Sequence, residues 1–241
     1  ATNNSCGEGV TWALADGTLT ISGTGRMTNF TKDAPAPWAD QADQITTVEV
    51  EGTVTSVGAT AFKDCTALTT VNIADGVEYI EAGAFNGCTA LTEVNIPLSV
   101  GYIKTGAFKG CTALTEVYIP DSVVDMGTSV FLDCDNLQSL TVSDGNSAYR
   151  LGSAGELLNY DGTQILYVPA SATGEYVIEQ GMTAGDYAFA GTGVTKVVIP
   201  NSMTVIPVGM FANCASLTEV TLHDGITEIG ASAFTGSAVQ S

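Results

Sequence analysis

The sequence predicts a β-rich solenoid of short stacked coils, and three observations carry that reading. A fourteen-residue stretch recurs: AFKDCTALTTVNIA from Ala61, AFNGCTALTEVNIP from Ala84, AFKGCTALTEVYIP from Ala107 and MFANCASLTEVTLH from Met210. Phe62, Phe85, Phe108 and Phe131 follow one another at steps of 23 residues, and Phe189, Phe211 and Phe234 continue at steps of 58, 22 and 23. Each unit repeats Leu-x-x-Val-x-Ile, a turn, then Val-x-x-Ile leading to Ala-Phe, as Leu91, Val94, Ile96, Val100, Ile103, Ala107 and Phe108 show in one copy. A sustained period in the twenties marks units that bury their apolar faces only against their neighbours. About eight coils of 22–23 residues fit between Ile45 and Phe234.

Within a coil, Val94 and Ile96 alternate with Glu93 and Asn95. That period of two, with β-branched residues, predicts a short strand with one face inward. Such strands stack into one parallel sheet about 4.8 Å apart, each repeat phenylalanine packing on the next. Pro97, Pro120 and Pro200, or Asp75-Gly76 and Asp224-Gly225, end the strands with turn chemistry. The return run to Ala-Phe is too short for a regular helix and is expected to be irregular or 3₁₀.

Cys65, Cys88, Cys111, Cys134 and Cys214 each lie three residues after a repeat phenylalanine, and Thr192 and Ser237 take the same position in other copies. The position therefore calls for a small, weakly polar side chain beside a tight turn. Stacked Cα atoms about 4.8 Å apart permit a disulfide by distance alone, but parallel Cβ vectors stay beyond the usual ~3.5–4.5 Å. Free thiols buried in one line are the expectation. No Cys-x-x-Cys pair and a single histidine leave no zinc pattern.

Residues 1–44 do not fit the repeat and are expected to cap the first coil. VTWALADGTLTISGTG, from Val10, predicts a hairpin turning at Asp16-Gly17 with Trp12, Leu14, Leu19 and Ile21 on one face. Pro37 is placed to open a short helix at Trp38. The solenoid is expected over 45–241, with an enlarged, hairpin-bearing coil at 143–175. That hairpin turns at Asp161-Gly162, between Leu157-Leu158 and Ile165-Leu166, and adds twelve residues beyond two periods. It reads either as a tolerated insertion or as a functional loop. At the other end FTGSAVQS, from Phe234, parallels FAGTGVTK, from Phe189, which leads into a further strand. Either the natural protein continues there or something else covers that edge.

The charge is lopsided: 26 Asp and Glu against 7 Lys and Arg, a net −19 over 241 residues. Such a surface repels phosphate, so nucleic acid and direct membrane insertion are not expected. No apolar run approaches the roughly 18–20 residues of a membrane span, and no signal peptide opens the chain.

Catalysis is not expected either. The only histidine, His223, fills the turn position that Pro97, Pro120 and Pro200 fill elsewhere. SGTG at Ser22 lacks the lysine and downstream glycines of a phosphate loop. Glu93 and Glu116 lie one coil apart in one column, a proximity that stacking alone produces. Asp133 and Asp135 sit at a turn without the twelve-residue spacing of a calcium loop. No cofactor and no metal are implied.

The outward strand positions form two columns. The first reads Thr47, Thr70, Glu93, Glu116, Ser139, Glu175, Lys196, Glu219; the second reads Glu49, Asn72, Asn95, Tyr118, Thr141, Val177, Val198, Thr221. Rigid strands with an exposed aromatic suit protein contact, although ordinary strand formers on a solvated face read the same way. Glu93, Asn95, Glu116, Tyr118 and Thr141 are the candidate partner-binding residues. Tyr149, Arg150, Tyr160 and Tyr167 of the enlarged coil are the next candidates.

The stretch AFxGCTALTEVxIP, with its Val-x-x-Ile return to Ala-Phe, resembles the BspA-type bacterial leucine-rich repeats first noted in treponemes. CGEGVTWALADGTLTISGTG, with Pro37-Trp38, is similar to the segment that often precedes these repeats in secreted proteins. The resemblance covers the chain from the cap to about Phe234. It implies a leucine-rich-repeat solenoid and a secreted or cell-surface, non-enzymatic protein that binds protein or glycoprotein partners in adhesion. A passive spacer without its own ligand, and a targeting module of a larger secreted enzyme, are the alternatives. Departures at 143–175, at Val130-Phe131 and in the short coil ending at Phe189 bear on the continuity of the sheet.

Overall fold

The computed structural model describes residues 4–239. The N-terminal segment folds as β1 (Ser5–Gly7), β2 (Val10–Ala15), β3 (Thr18–Gly23) and β4 (Gly25–Arg26), then a 3₁₀ helix, Ala39–Gln44. Four regular coils follow, each with two short strands. They are β5 (Thr47–Val50) with β6 (Val54–Val57), β7 (Thr70–Ile73) with β8 (Tyr79–Ile80), β9 (Glu93–Val94) with β10 (Tyr102–Ile103), and β11 (Glu116–Ile119) with β12 (Asp125–Met126). The enlarged coil holds β13 (Ser139–Val142), β14 (Tyr149–Leu151), β15 (Leu157–Asn159) and β16 (Gln164–Tyr167). Three more coils hold β17 (Thr173–Val177) with β18 (Thr183–Ala184), β19 (Gly193–Val198) with β20 (Val205–Ile206), and β21 (Glu219–Thr221) with β22 (Glu228–Ile229). This is the leucine-rich-repeat solenoid of about eight turns, almost without helix.

The stack has three faces. On the first, β3, β5 and β7 pair in parallel, as do β9, β11 and β13, and β17, β19 and β21. The strand sheet is therefore interrupted twice, where the repeat alone predicts one continuous ladder. On the second face, β4, β6, β8, β10 and β12 form another parallel sheet. The first half of the return run is thus strand, not irregular backbone. Two residues per coil are too few to show a strand period, and only the lateral pairing of Tyr79 with Tyr102 and Ile80 with Ile103 makes them one. The third face is built of tight turns closed by i to i+3 bonds such as Cys65 N–H to Phe62 O at 3.2 Å, the 3₁₀ pattern expected of the second half.

Turns also bond from coil to coil. The amide of Phe62 donates to Ala84 O at 2.8 Å, Phe85 to Ala107 O at 2.8 Å and Phe108 to Val130 O at 3.0 Å. The residue before each slot position is left-handed, with Asp64, Gly87, Gly110, Asp133, Gly191, Asn213 and Gly236 at φ between 59° and 78°. Only Gly, Asp and Asn appear there because their side chains tolerate that region.

The phenylalanine rings stack inside. Centroids lie 5.3 Å apart for Phe62 and Phe85, 5.4 Å for Phe85 and Phe108, and 6.0 Å for Phe108 and Phe131. Trp38 extends this column at one end, 5.9 Å from Phe62, with its Nε1–H on Ala61 O at 2.7 Å. The hairpin of β2 and β3 turns at Asp16 and Gly17, both at positive φ as a type I′ turn requires, and β3 pairs with β5. The column is broken after Phe131, where Tyr167 meets the ring edge-on at 5.8 Å, and it restarts at Phe189, where Tyr176 does the same at 4.9 Å.

All six thiols are unpaired and buried. Four of the five slot thiols lie against the carbonyl of the preceding coil's phenylalanine: Cys88 on Phe62 O at 3.1 Å, Cys111 on Phe85 O at 3.2 Å, Cys134 on Phe108 O at 3.1 Å and Cys214 on Phe189 O at 3.0 Å. Thr192, in the same position, is within 3.5 Å of the Cys214 sulfur. The slot thus accepts a small hydrogen-bond donor, which is why Thr and Ser replace Cys in it.

Two predictions follow the packing. Phe108→Ala is expected to destabilise the chain by about 3–5 kcal/mol in urea unfolding, because rings above and below hold the cavity open. The second concerns pH. Burial raises the thiol pKa values above the ordinary 9.0, to about 11 for Cys6 and about 12 for Cys65 and Cys111. Below pH 9.0 folded and unfolded chains both keep these protons. Above it only the unfolded chain releases them, so each thiol subtracts up to about 1.4 kcal/mol per pH unit until its folded pKa is reached. The melting temperature should be flat from about pH 7 to 8.5 and fall above that. The fall should be shallower in a Cys88→Ser, Cys111→Ser chain.

Candidate binding surfaces

The strand register places the two outward columns side by side. Glu116 pairs with Glu93 and Ser139, and Tyr118 with Thr141. Glu93, Glu116 and Thr141 are exposed, and Tyr118 is 47% exposed. Among the described residues no backbone hydrogen bond joins β7 to β9. Pro97 removes one bond at the end of this ladder but does not by itself open it, since Pro120 and Pro200 stand at the same place in coils whose strands do pair. Ala74 N–H closes the end of the β5–β7 ladder on Val50 O at 3.0 Å, and Pro97 takes the equivalent place one coil on without an N–H. The opening is a groove of about 410 Å³ in which Asn72, Glu93, Asn95, Glu116, Tyr118 and Thr141 converge. All five candidate residues line it.

Its electrostatics differ from those of the same column further on. Lys196 lies between Glu175 at 3.8 Å and Glu219 at 3.2 Å and neutralises that end. Glu93 and Glu116 stand next to each other with no lysine or arginine in an ion pair to either, among the described residues. The groove therefore keeps two carboxylates beside amides and a phenol ring, a set that accepts hydrogen bonds from cationic or hydroxyl donors.

The second sheet carries a cluster that strand-face reasoning missed. Tyr79 and Tyr102 stack at 4.6 Å with planes 8° apart. The Arg26 guanidinium lies 4.4 Å from the Tyr79 centroid and bonds Glu81 at 2.6 Å. Lys104 Nζ lies 4.9 Å from the Tyr102 centroid and bonds Asp125 at 2.6 Å. Tyrosine at equivalent positions of consecutive coils was the available signal. It gained meaning only once the return run was a strand.

The enlarged coil runs as an antiparallel meander, β14–β15–β16, where other coils have one strand. Met126 N–H donates to the Tyr149 hydroxyl at 2.6 Å. The buried carboxylate of Glu156 accepts from Ala154 N–H at 2.8 Å and from the Tyr176 hydroxyl at 2.9 Å, tying the meander to the next coil. Of the secondary candidates, Tyr149 is buried and Tyr167 is half-buried against Phe131, so both serve packing. Arg150 and Tyr160 remain exposed. Beside the meander lies a slot of about 230 Å³ between the turn at 126–132 and the turn at 185–190, floored by Leu157, Leu166 and Tyr167.

His223 is a turn residue. Its Nε2 lies 3.0 Å from Met203 O, and its Nδ1 accepts Gly225 N–H at 3.1 Å. Among the described residues, no three His, Cys, Asp or Glu side chains form a group able to hold a metal, and no helix is long and apolar enough to cross a membrane.

The sequence matches the family described as BspA type leucine rich repeat region in six copies, over residues 40–152 and 182–241. A leucine-rich repeat protein from Eubacterium ventriosum is similar in structure, with a TM-score of 0.76 and 28% identity over 93% of this chain and 67% of that one. A leucine rich cell surface protein from Faecalibacterium prausnitzii has a TM-score of 0.61 and 22% identity over 95% of this chain and 78% of its own. The pneumococcal vaccine antigen PcpA has a TM-score of 0.64 and 15% identity over 91% of this chain and 70% of its own. The last two likenesses show the fold. No curated protein matches the sequence.

The Tyr79–Tyr102 cluster is half-exposed, and its ion pairs are screened by water. Lys104→Ala is therefore expected to shift the urea midpoint by the equivalent of less than about 1 kcal/mol. A larger loss would show that this cluster holds the second sheet together.

Proposed function

We propose that this chain, which belongs to the BspA-type leucine-rich repeat family, is a secreted or cell-surface binding module. It engages a basic segment of a protein or glycoprotein partner, in adhesion, through the groove of its first sheet. The carrying observation is the meeting in one groove of two uncompensated carboxylates, Glu93 and Glu116, with Asn95, Tyr118 and Thr141. Strand side chains are already ordered by the ladder and lose little further freedom on binding. Tyrosine beside a concave surface is a frequent anchor of binding energy. A lysine or arginine of the partner relieves the repulsion between the paired glutamates. The surface location is supported by the fold's likeness to a protein described as a cell surface protein and to a vaccine antigen.

The test has two steps. The isolated chain is offered to immobilised extracellular-matrix proteins and to an array of bacterial surface glycans. Binding of whatever it retains is then measured for the parent, Tyr118→Ala and Glu116→Lys, each checked for an unchanged melting temperature. Each variant is expected to bind at least about tenfold more weakly, near 1.4 kcal/mol, and the Glu116→Lys complex should depend less on salt. Unchanged affinity in both variants would move the site off the strand face.

A further inference from the structure

We propose that the slot beside the enlarged coil is a second binding site, one that takes an extended peptide with an apolar side chain at its centre and basic residues on either side. It is separate from the groove of the first sheet and does not rest on it.

The argument begins with a count of backbone partners. In the regular turns three amides per coil donate to three carbonyls of the next. Thr60, Phe62 and Asp64 reach Ala82, Ala84 and Asn86 at 3.0, 2.8 and 2.7 Å. Gly106, Phe108 and Gly110 reach Thr128, Val130 and Leu132 at 3.0, 3.0 and 2.8 Å. The next row is Ser129, Phe131 and Asp133. Among the described residues the N–H groups of all three lack a hydrogen-bond partner. On the facing turn only one of the equivalent carbonyls is used, Ala188 O, which accepts from Val168 N–H at 2.8 Å. The carbonyls of Asp186 and Ala190 have no partner.

The meander explains the gap. It puts three strands, β14, β15 and β16, into a coil whose neighbours place one strand at that level. The turns on either side are wedged apart, and the slot of about 230 Å³ lies between them. One wall thus presents the free N–H groups of Ser129 and Phe131, and the other the free carbonyls of Asp186 and Ala190. An extended main chain satisfies both at once, as a strand added to a sheet does.

The lining fixes the rest of the ligand's chemistry. Leu132, Leu157, Leu166 and the Tyr167 ring provide an apolar floor for one side chain. No lysine or arginine lines the slot. Asp186 lies at its edge, exposed and accepting Val208 N–H at 3.1 Å, and Asp133 lies just beyond it, exposed and paired with Lys109 at 3.9 Å. Basic residues flanking the apolar one complement those carboxylates. Tyr187, also in the lining, is held at φ 59°, the left-handed state that Thr60, Gly83, Gly106, Ser129, Gly209 and Ser232 take at the same position of their coils.

Amide hydrogen exchange, followed by NMR, tests the proposal on the whole chain. In the free protein the amides of Ser129, Phe131 and Asp133 should exchange at least about a hundredfold faster than those of Gly106, Phe108 and Gly110. The probe is an end-capped heptapeptide with leucine at its centre, threonine on both sides and lysine at each end. At saturation it should slow the three amides at least about tenfold and leave Phe62 and Phe85 unchanged. Its backbone-N-methylated twin should not. Ala190→Phe and Thr128→Trp, which fill the slot from its wall and its rim, should each abolish the effect, whereas Tyr118→Ala should retain it. The proposal is overturned if Phe131 is as protected as Phe108 in the free protein, so that the slot is closed. It is equally overturned if millimolar peptide leaves the three amides unprotected, or if both filled variants bind like the parent.

Discussion

Every feature of this molecule depends on one constraint: no coil can satisfy its own backbone. A coil has no helix to absorb its amides and carbonyls, and beyond the i to i+3 bonds of its turns they find their partners one coil away. Thr69 N–H ends on Thr46 O on the strand face, Gly101 N–H on Glu78 O on the second face and Phe85 N–H on Ala107 O on the turn face, at 2.8 to 3.0 Å. Like positions must then lie over like positions, which is why fourteen residues recur so closely. The aromatic column and the thiol column are side-chain consequences of the same registration.

A stack of this kind exposes chemistry where registration fails. Between β7 and β9 the strands do not pair, and a groove lies there above a core that stays buried. At the enlarged coil the failure is geometric. Two additional strands on one side cannot be matched on the other, so the core divides into two clusters and the turn face gapes. In both places the inner aliphatic and aromatic contacts continue nearby, through Val71 and Val94 in the first case and Phe131 and Tyr167 in the second. The openings are local, with packed coils on either side. A rigid frame of that kind holds side chains for recognition at little entropic cost.

The charge is distributed with the same logic. Five of the basic residues, Arg26, Lys63, Lys104, Lys109 and Lys196, are engaged with carboxylates. The carboxylates outnumber them 26 to 7, so most of the acidic surface is left for solvent and partners. Glu93 and Glu116 are held side by side by the strand ladder with no basic partner among the described residues, whereas Glu81, Asp125 and Glu175 each pair with a lysine or arginine. Beneath this surface the thiols stay protonated because burial disfavours the thiolate.

The sequence by itself determined the architecture. A 23-residue period, alternating Val-x-Ile, and Gly, Asp or Asn before each slot residue encode a coil whose every element is local, and local patterns are legible in one dimension. The outward residues of the strands, Glu93, Asn95, Glu116, Tyr118 and Thr141 among them, were legible for the same reason. What only the tertiary structure decided is how neighbouring coils meet. The Val-x-x-Ile run is too short to announce a strand, and it becomes one by pairing. The repeat reads the same before and after Pro97, and only the strand pairing shows that the ladder breaks between β7 and β9. Tyr149 and Tyr167 read as secondary binding candidates, yet packing buries one and half-buries the other. The slot beside Phe131 depends on three strands in one coil facing single strands in the next, a mismatch between elements far apart in sequence that no local pattern records.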